Sequence, residues 1–191
     1  MNLPMKLTVS RIVMIPLFVA VFMIDFSLSG IIATAVFIIA AFTDFLDGYL
    51  ARKNNQVTDM GKFLDPIADK ILVMSAMTLL LTFGVLGEGK INLIIGAITM
   101  IVMLARELTV SALRMMAAGK GVVIAADKWG KYKTVSQDIA LPMLMAVKGG
   151  VITGVFYNIL YYAGLGFLIL SAVLTVISGI NYLVKNKEAL K

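Results

Sequence analysis

Long apolar runs separated by short polar clusters organise this chain. Hydrophobic stretches cover roughly 12 to 24, 30 to 46, 66 to 86, 91 to 113, 135 to 153 and 157 to 184, each at or close to the ~20 residues that a helix rising about 1.5 Å per residue needs to cross hydrocarbon. The pattern predicts an all-α polytopic membrane protein with six transmembrane helices, both termini on the same side, and a single catalytic domain over residues 1–191 in which 1–11 form an N-terminal juxtamembrane segment. Pro16 and Pro142 fall inside apolar runs, where a missing N–H predicts kinks, while G-E-G at 87–89 and K-G-G at 148–150 read as turns. Gly164, Gly166, Ser171, Ser178 and Gly179 on the last run permit close helix approach, in keeping with ordinary membrane packing rather than a dedicated dimer seam. No internal repeat is evident.

Charge gives the array a direction. The connections around 47–65 and 114–134 hold Arg52, Lys53, Lys62, Arg114, Lys120, Lys128, Lys131 and Lys133, whereas the opposite side holds little beyond Lys90 and Lys148. By the positive-inside rule the former connections and both termini face the cytoplasm. The net charge of +6 is scattered over connections between apolar segments, which suits a membrane surface and not a nucleic-acid partner. A mean hydropathy of +0.96, with 60% hydrophobic and 15% charged residues, is outside the range of an ordinary soluble domain. The opening M-N-L-P-M-K-L-T-V-S-R has a positive charge before an apolar run but no small-residue cleavage site ahead of a polar sequence, so it is expected to be retained.

The absence of Cys and His excludes disulfides, thiolate or imidazole metal sites and imidazole bases. Any metal site must be built from oxygen, which favours Mg, Mn or Ca, and Mg or Mn beside a phosphate substrate. Such a site is suggested by four aspartates near the second and third apolar runs: Asp44, Asp47, Asp65 and Asp69. A carboxylate at the edge of hydrocarbon is costly unless paired or bound to a cation. If both segments are helical, the i,i+3 spacing of Asp44 and Asp47 and the i,i+4 spacing of Asp65 and Asp69 put each pair on one helix face, and two facing pairs make a divalent-metal cage.

Written out, residues 44 to 69 read D-x2-D-G-x2-A-R-x8-G-x3-D-x3-D. Gly48 and Ala51 clear space for a flat ligand group, Arg52 can grip a phosphate bidentately, and Gly61 is expected to turn the backbone before the next helix. Two divalent ions on such carboxylates can clamp a pyrophosphate and stabilise its leaving group, with a partly free carboxylate serving as base. The plainer reading, a salt-bridge cluster with Arg52, Lys53, Lys62 and Lys70, does not account for the interleaved Gly and Arg.

This pattern resembles the signature of the CDP-alcohol phosphatidyltransferases, and six spans with cytoplasmic termini resemble that family's fold over essentially the whole chain. The resemblance implies a multi-pass enzyme of the bacterial cell membrane, a homodimer among membrane lipids, that moves a phosphatidyl group from CDP-diacylglycerol to an alcohol while CMP leaves. Carried over by position, Asp44 and Asp65 would bridge two metal ions, Mg or Mn. Asp47 would bind one and Asp69 the other, with Asp69 also taking the proton of the attacking hydroxyl. Gly48, Ala51, Arg52, Thr58 and Gly61 would line the CDP site. The segment L-P-M-K-L-T-V-S-R resembles the family's P-N-x-L-T-x-x-R entry, placing Thr8 near the cytidine, with Met5 where Asn is usual.

A second basic constellation, A-R-E-L-T-V-S-A-L-R with Arg106 and Arg114 followed by W-G-K-Y-K-T with Lys131 and Lys133, points to the acceptor. Residues eight apart on a helix lie within about 80° of each other, so both arginines can reach one cavity and grip a dianionic phosphate, with Glu107 as a competing structural partner of Arg106. These stretches resemble the family branch whose acceptor is glycerol 3-phosphate. A branch using inositol phosphate would share the aspartates and a basic pocket. A cation-coupled transporter would also keep carboxylates in a bundle, though nearer mid-membrane and with inverted repeats.

Overall fold

The structure, a computed structural model, describes residues 3–53, 59–87, 89–119 and 127–185; within these, the side chains of 3–6, 44, 45, 47–53, 59–63, 65, 66, 118 and 119 lie outside the description. The described residues form six α-helices and no strand: α1 (Leu3–Met23), α2 (Ser29–Lys53), α3 (Asp59–Thr82), α4 (Lys90–Gly119), α5 (Lys128–Ala146) and α6 (Gly154–Lys185).

The helices coincide with the apolar runs in number and order, but several continue beyond them. Residues 47–53 and 59–65, read above as connection, belong to α2 and α3, and Gly61 lies in the first turn of α3 instead of turning the chain ahead of it. Hydropathy marks where a helix leaves an apolar medium, not where its hydrogen-bond ladder stops. Leu50, Ala51, Arg52 and Lys53 are strong helix formers, and a helical Gly costs only about 1 kcal/mol relative to Ala. The same effect extends α4 to Gly119 and starts α5 at Lys128. At the opposite end α5 stops at Ala146, before Gly149 and Gly150 take φ of 94° and 73°, the left-handed region that favours glycine. Gly87 and Gly89, with φ of 111° and 100°, likewise turn the chain between α3 and α4.

Among the described residues two helices, Lys90–Ala117 and Gly154–Lys185, are long and apolar enough to cross a membrane, while α1 and α2 contribute shorter apolar segments, Leu7–Met23 and Ser29–Thr43. In α3 and α5 charged residues occupy the first turns. Pro16 and Pro142 sit inside α1 and α5.

Packing is arranged around two tight pairs. α1 runs along α2 and also touches α3, α5 runs along α6, α2 joins the pairs through α5, and α4 rests on α6 and α3. The centre is filled by fully buried Phe18, Phe22, Phe37, Leu72, Met77, Leu80, Leu141, Leu144 and Met145, with Phe18 and Phe37 edge-to-face at 5.8 Å between centroids. Outward faces of α2, α4 and α6 carry exposed Ile38, Ile39, Ile91, Ile98, Ile101, Phe156 and Ile169, an apolar exterior suited to lipid. Several hydroxyls on these helices bond back to their own backbone, as in Thr34 to Gly30 O (2.7 Å), Thr99 to Ile95 O (2.9 Å) and Thr175 to Ser171 O (2.7 Å), which satisfies them without water.

Gly164 approaches Leu144 and Met143 of α5 so closely that a Cβ would lie 2.9 Å from Leu144 Cγ, whereas Gly166 meets nothing within 4 Å. Small residues on α6 therefore serve the α5 contact at the first position and not at the second. At the loop end of α5, the Lys148 ammonium donates to Phe22 O and lies 4.6 Å and 4.3 Å from the ring centroids of Phe22 and Phe83, which are themselves edge-to-face at 5.6 Å. Burial pushes its pKa below the ordinary lysine range while Asp25 pulls it back up. One amine thus joins the ends of α1, α3 and α5 through cation–π contacts.

Candidate active site

The aspartate motif is carried on helices. Positions 44 and 47 fall in the second half of α2, and 65 and 69 in the first half of α3, so each pair occupies one helix face, about 60° apart at i,i+3 and about 40° at i,i+4. Asp69 is exposed. The side chains of Asp44, Asp47 and Asp65, and those of Gly48, Ala51, Arg52 and Gly61, lie outside the described residues, as does Thr58 entirely. Among the described residues no three acidic side chains meet. A set of donors that is all carboxylate, held at helical spacing on two elements, fits hard divalent ions such as Mg or Mn.

Lys70, the neighbour of Asp69, donates to Ser111 Oγ. This bond sets the turn of α3 that carries Asp69 beside the stretch of α4 between Arg106 and Arg114.

The basic half divides. Glu107 Oε1 accepts from Arg106 Nη1 at 2.8 Å and from Lys133 Nζ at 2.9 Å, with the side chains 13%, 5% and 21% exposed for Arg106, Lys133 and Glu107. Arg106 and Lys133, both predicted, therefore meet through the carboxylate named as a competing partner. Arg114 is exposed and instead donates from Nε to the hydroxyl of Tyr182 at 3.2 Å, its guanidinium 5.6 Å from that ring's centroid. Lys131 is exposed on the first turn of α5.

Thr8 is buried on α1, as is Arg11 one turn later. Sequence reasoning gave no role to Arg11, Gln137 or Tyr182, all nearly inaccessible. The final R of the P-N-x-L-T-x-x-R entry that the opening segment resembles falls on Arg11 and was the available signal for the first; Gln137 and Tyr182 stand out only once α5 and α6 are packed.

A helical bundle that carries an aspartate motif of this form on two of its helices is the pattern of a phosphatidyl-transferring enzyme, and the chain belongs to the CDP-alcohol phosphatidyltransferase family, whose model matches residues 1–178. Relatives are similar over nearly their whole length. The CDP-diacylglycerol–glycerol-3-phosphate 3-phosphatidyltransferase of Haemophilus influenzae is 39% identical over 195 residues, covering 99% of this chain and 95% of that protein. Proteins of the same name from Bacillus subtilis and Salmonella typhimurium are 37% identical over 204 residues (100% and 97% covered) and 40% identical over 185 residues (95% and 93% covered).

Proposed function

We propose that this chain transfers the phosphatidyl group of CDP-diacylglycerol to glycerol 3-phosphate, giving phosphatidylglycerophosphate and CMP. The observation that carries the reading is near-full-length similarity, at 37% to 40% identity, to proteins named for that reaction. The acceptor hydroxyl oxygen bonds to the phosphorus that bears the diacylglycerol, the pyrophosphate P–O bond breaks, CMP departs with its electron pair, and the hydroxyl proton passes to Asp69.

Asp44, Asp47, Asp65 and Asp69 would hold two divalent ions, Mg or Mn, which when bound neutralise the phosphoryl oxygens and the departing CMP. Thr8, Gly48, Ala51, Arg52, Thr58 and Gly61 bind the CDP portion, with Arg52 forked onto a phosphate. Arg106 and Lys133, already paired through Glu107, receive the phosphate of the acceptor, and Arg114 and Lys131 add positive charge at its edge. The six helices cross the bacterial cell membrane with the site and both termini at the cytoplasmic face, as the basic connections favour, and the working form is a homodimer. Purified protein incubated with CDP-diacylglycerol, Mg or Mn and labelled alcohols tests the whole reading: label from glycerol 3-phosphate should become lipid-soluble as CMP appears. Transfer to a different alcohol would move the acceptor assignment, and no transfer to any alcohol would end it.

A further inference from the structure

We propose that Glu107 is a positioning residue for the acceptor phosphate, and that Gly130 and Gly179 form the slot that aims Arg106 at it; the inference rests on the reading that Arg106 and Lys133 receive that phosphate. A single oxygen, Glu107 Oε1, accepts from both cations at 2.8 Å and 2.9 Å. Two positive charges so close repel unless an anion lies between them. Among the described residues one carboxylate against two cations leaves a surplus positive charge at a largely buried position, which a simple ion pair would not, and Arg106 Nε is buried with no acceptor. Glu107 thus holds the pair together without saturating it. The remaining donors of the guanidinium and ammonium are complementary to a dianion.

The path of the Arg106 side chain is cut by two glycines on different helices. A Cβ at position 130 of α5 would lie 3.0 Å from Arg106 Nη2, and one at position 179 of α6 would lie 3.3 Å from Arg106 Cγ. Head and stem of the same arginine therefore press against positions that lack a side chain. Neither glycine needs an unusual backbone, since neither has a positive φ, so the space itself is what their residue type supplies. Addition of a methyl group at 130 would be relieved by the flexible end of Arg106, leaving the fold intact while turning the guanidinium away from its aim.

The test is steady-state kinetics of the full chain in detergent micelles, with KM for glycerol 3-phosphate and for CDP-diacylglycerol measured separately for Glu107→Ala, Glu107→Gln, Gly130→Ala and Gly179→Ala. Expected are a rise of about tenfold or more in acceptor KM for Glu107→Ala, partial recovery in Glu107→Gln, which keeps an acceptor oxygen, a smaller rise in both glycine variants, and an unchanged donor KM in all four. If Glu107→Ala does not fold, the glycine variants decide. Unchanged acceptor KM in an enzyme that uses glycerol 3-phosphate would overturn the positioning role and leave the acceptor reading standing. Donor and acceptor KM rising together, with Gln no better than Ala, would reduce Glu107 to a structural ion-pair partner and overturn the proposal equally. A wild-type protein that ignores glycerol 3-phosphate but transfers to another alcohol would instead overturn the acceptor reading and this inference with it.

Discussion

Replacing Gly30 with alanine should destabilise the bundle even though alanine is the better helix former. Gly30 is buried at the start of α2, against the end of α5. An added Cβ would lie 2.6 Å from Met145 O and 3.0 Å from Lys148 C, and closer still to Lys148 O. Carbon normally approaches a carbonyl oxygen no nearer than about 3.3 Å, so the Met145 contact alone is short by roughly 0.7 Å. Every obstructing atom is backbone and cannot rotate away, and the carbonyls belong to the turn that seats Lys148 between Phe22 and Phe83. Overpacking of this kind costs about 1–3 kcal/mol, against a helix-propensity gain of at most about 1 kcal/mol, smaller near a helix start. A net loss of roughly 1–2 kcal/mol lowers the melting temperature by about 2–8 °C for a chain of this size. Thermal unfolding in mild detergent, followed by loss of the monodisperse peak, measures it. Gly166→Ala is the matched comparison, since nothing lies within 4 Å of that position, and it should melt at or above the wild-type temperature. If Gly30→Ala melted as high as Gly166→Ala, the close seating of α2 on the α5 turn would be wrong.

The motif supplies further predictions. Activity should require Mg or Mn and vanish in EDTA, and Asp44→Asn or Asp65→Asn should abolish it while the protein still elutes as a folded species; full turnover in chelator would remove the two-metal reading. Asp69→Asn should lower kcat by about 10² to 10⁴ with a far smaller effect on CDP-diacylglycerol binding, and a loss of donor binding as complete as in Asp44→Asn would take the base role from Asp69. Lys133→Ala should raise the KM for glycerol 3-phosphate more than Arg114→Ala does, because Lys133 is buried on Glu107 whereas Arg114 is exposed on Tyr182; the reverse order would shift the pocket toward Tyr182. Lys148→Met should lower the melting temperature while leaving both KM values in place, since its contacts to Phe22 and Phe83 are at the opposite end of α5 from Lys133.

Six helices in the right order were legible because apolar runs of near-spanning length have few other uses, and the aspartate spacing was legible because helical periodicity acts within a few residues. Arg106, Glu107 and Lys133 could be named from sequence, but their sharing of one oxygen could not, since it depends on how α4 meets α5. The same holds for the slot: Gly130 and Gly179 look like ordinary flexible or small positions until the Arg106 side chain is seen between them. Lys148 was counted as a stray charge on the poorer side. Its rings come from α1 and from the turn just past α3, and no local pattern announces such a contact.

The continuation of α2 and α3 beyond their apolar runs has a consequence for how the motif can vary. Along a helix a deletion or insertion is a rotation: one residue added between positions 44 and 47, or between 65 and 69, swings the later aspartate by about 100° from its mate. Substitutions at the intervening positions leave that phase untouched. The intervals within each helical half of the motif are thus set by angular pitch, a stricter rule than the reach of a side chain would impose on a loop.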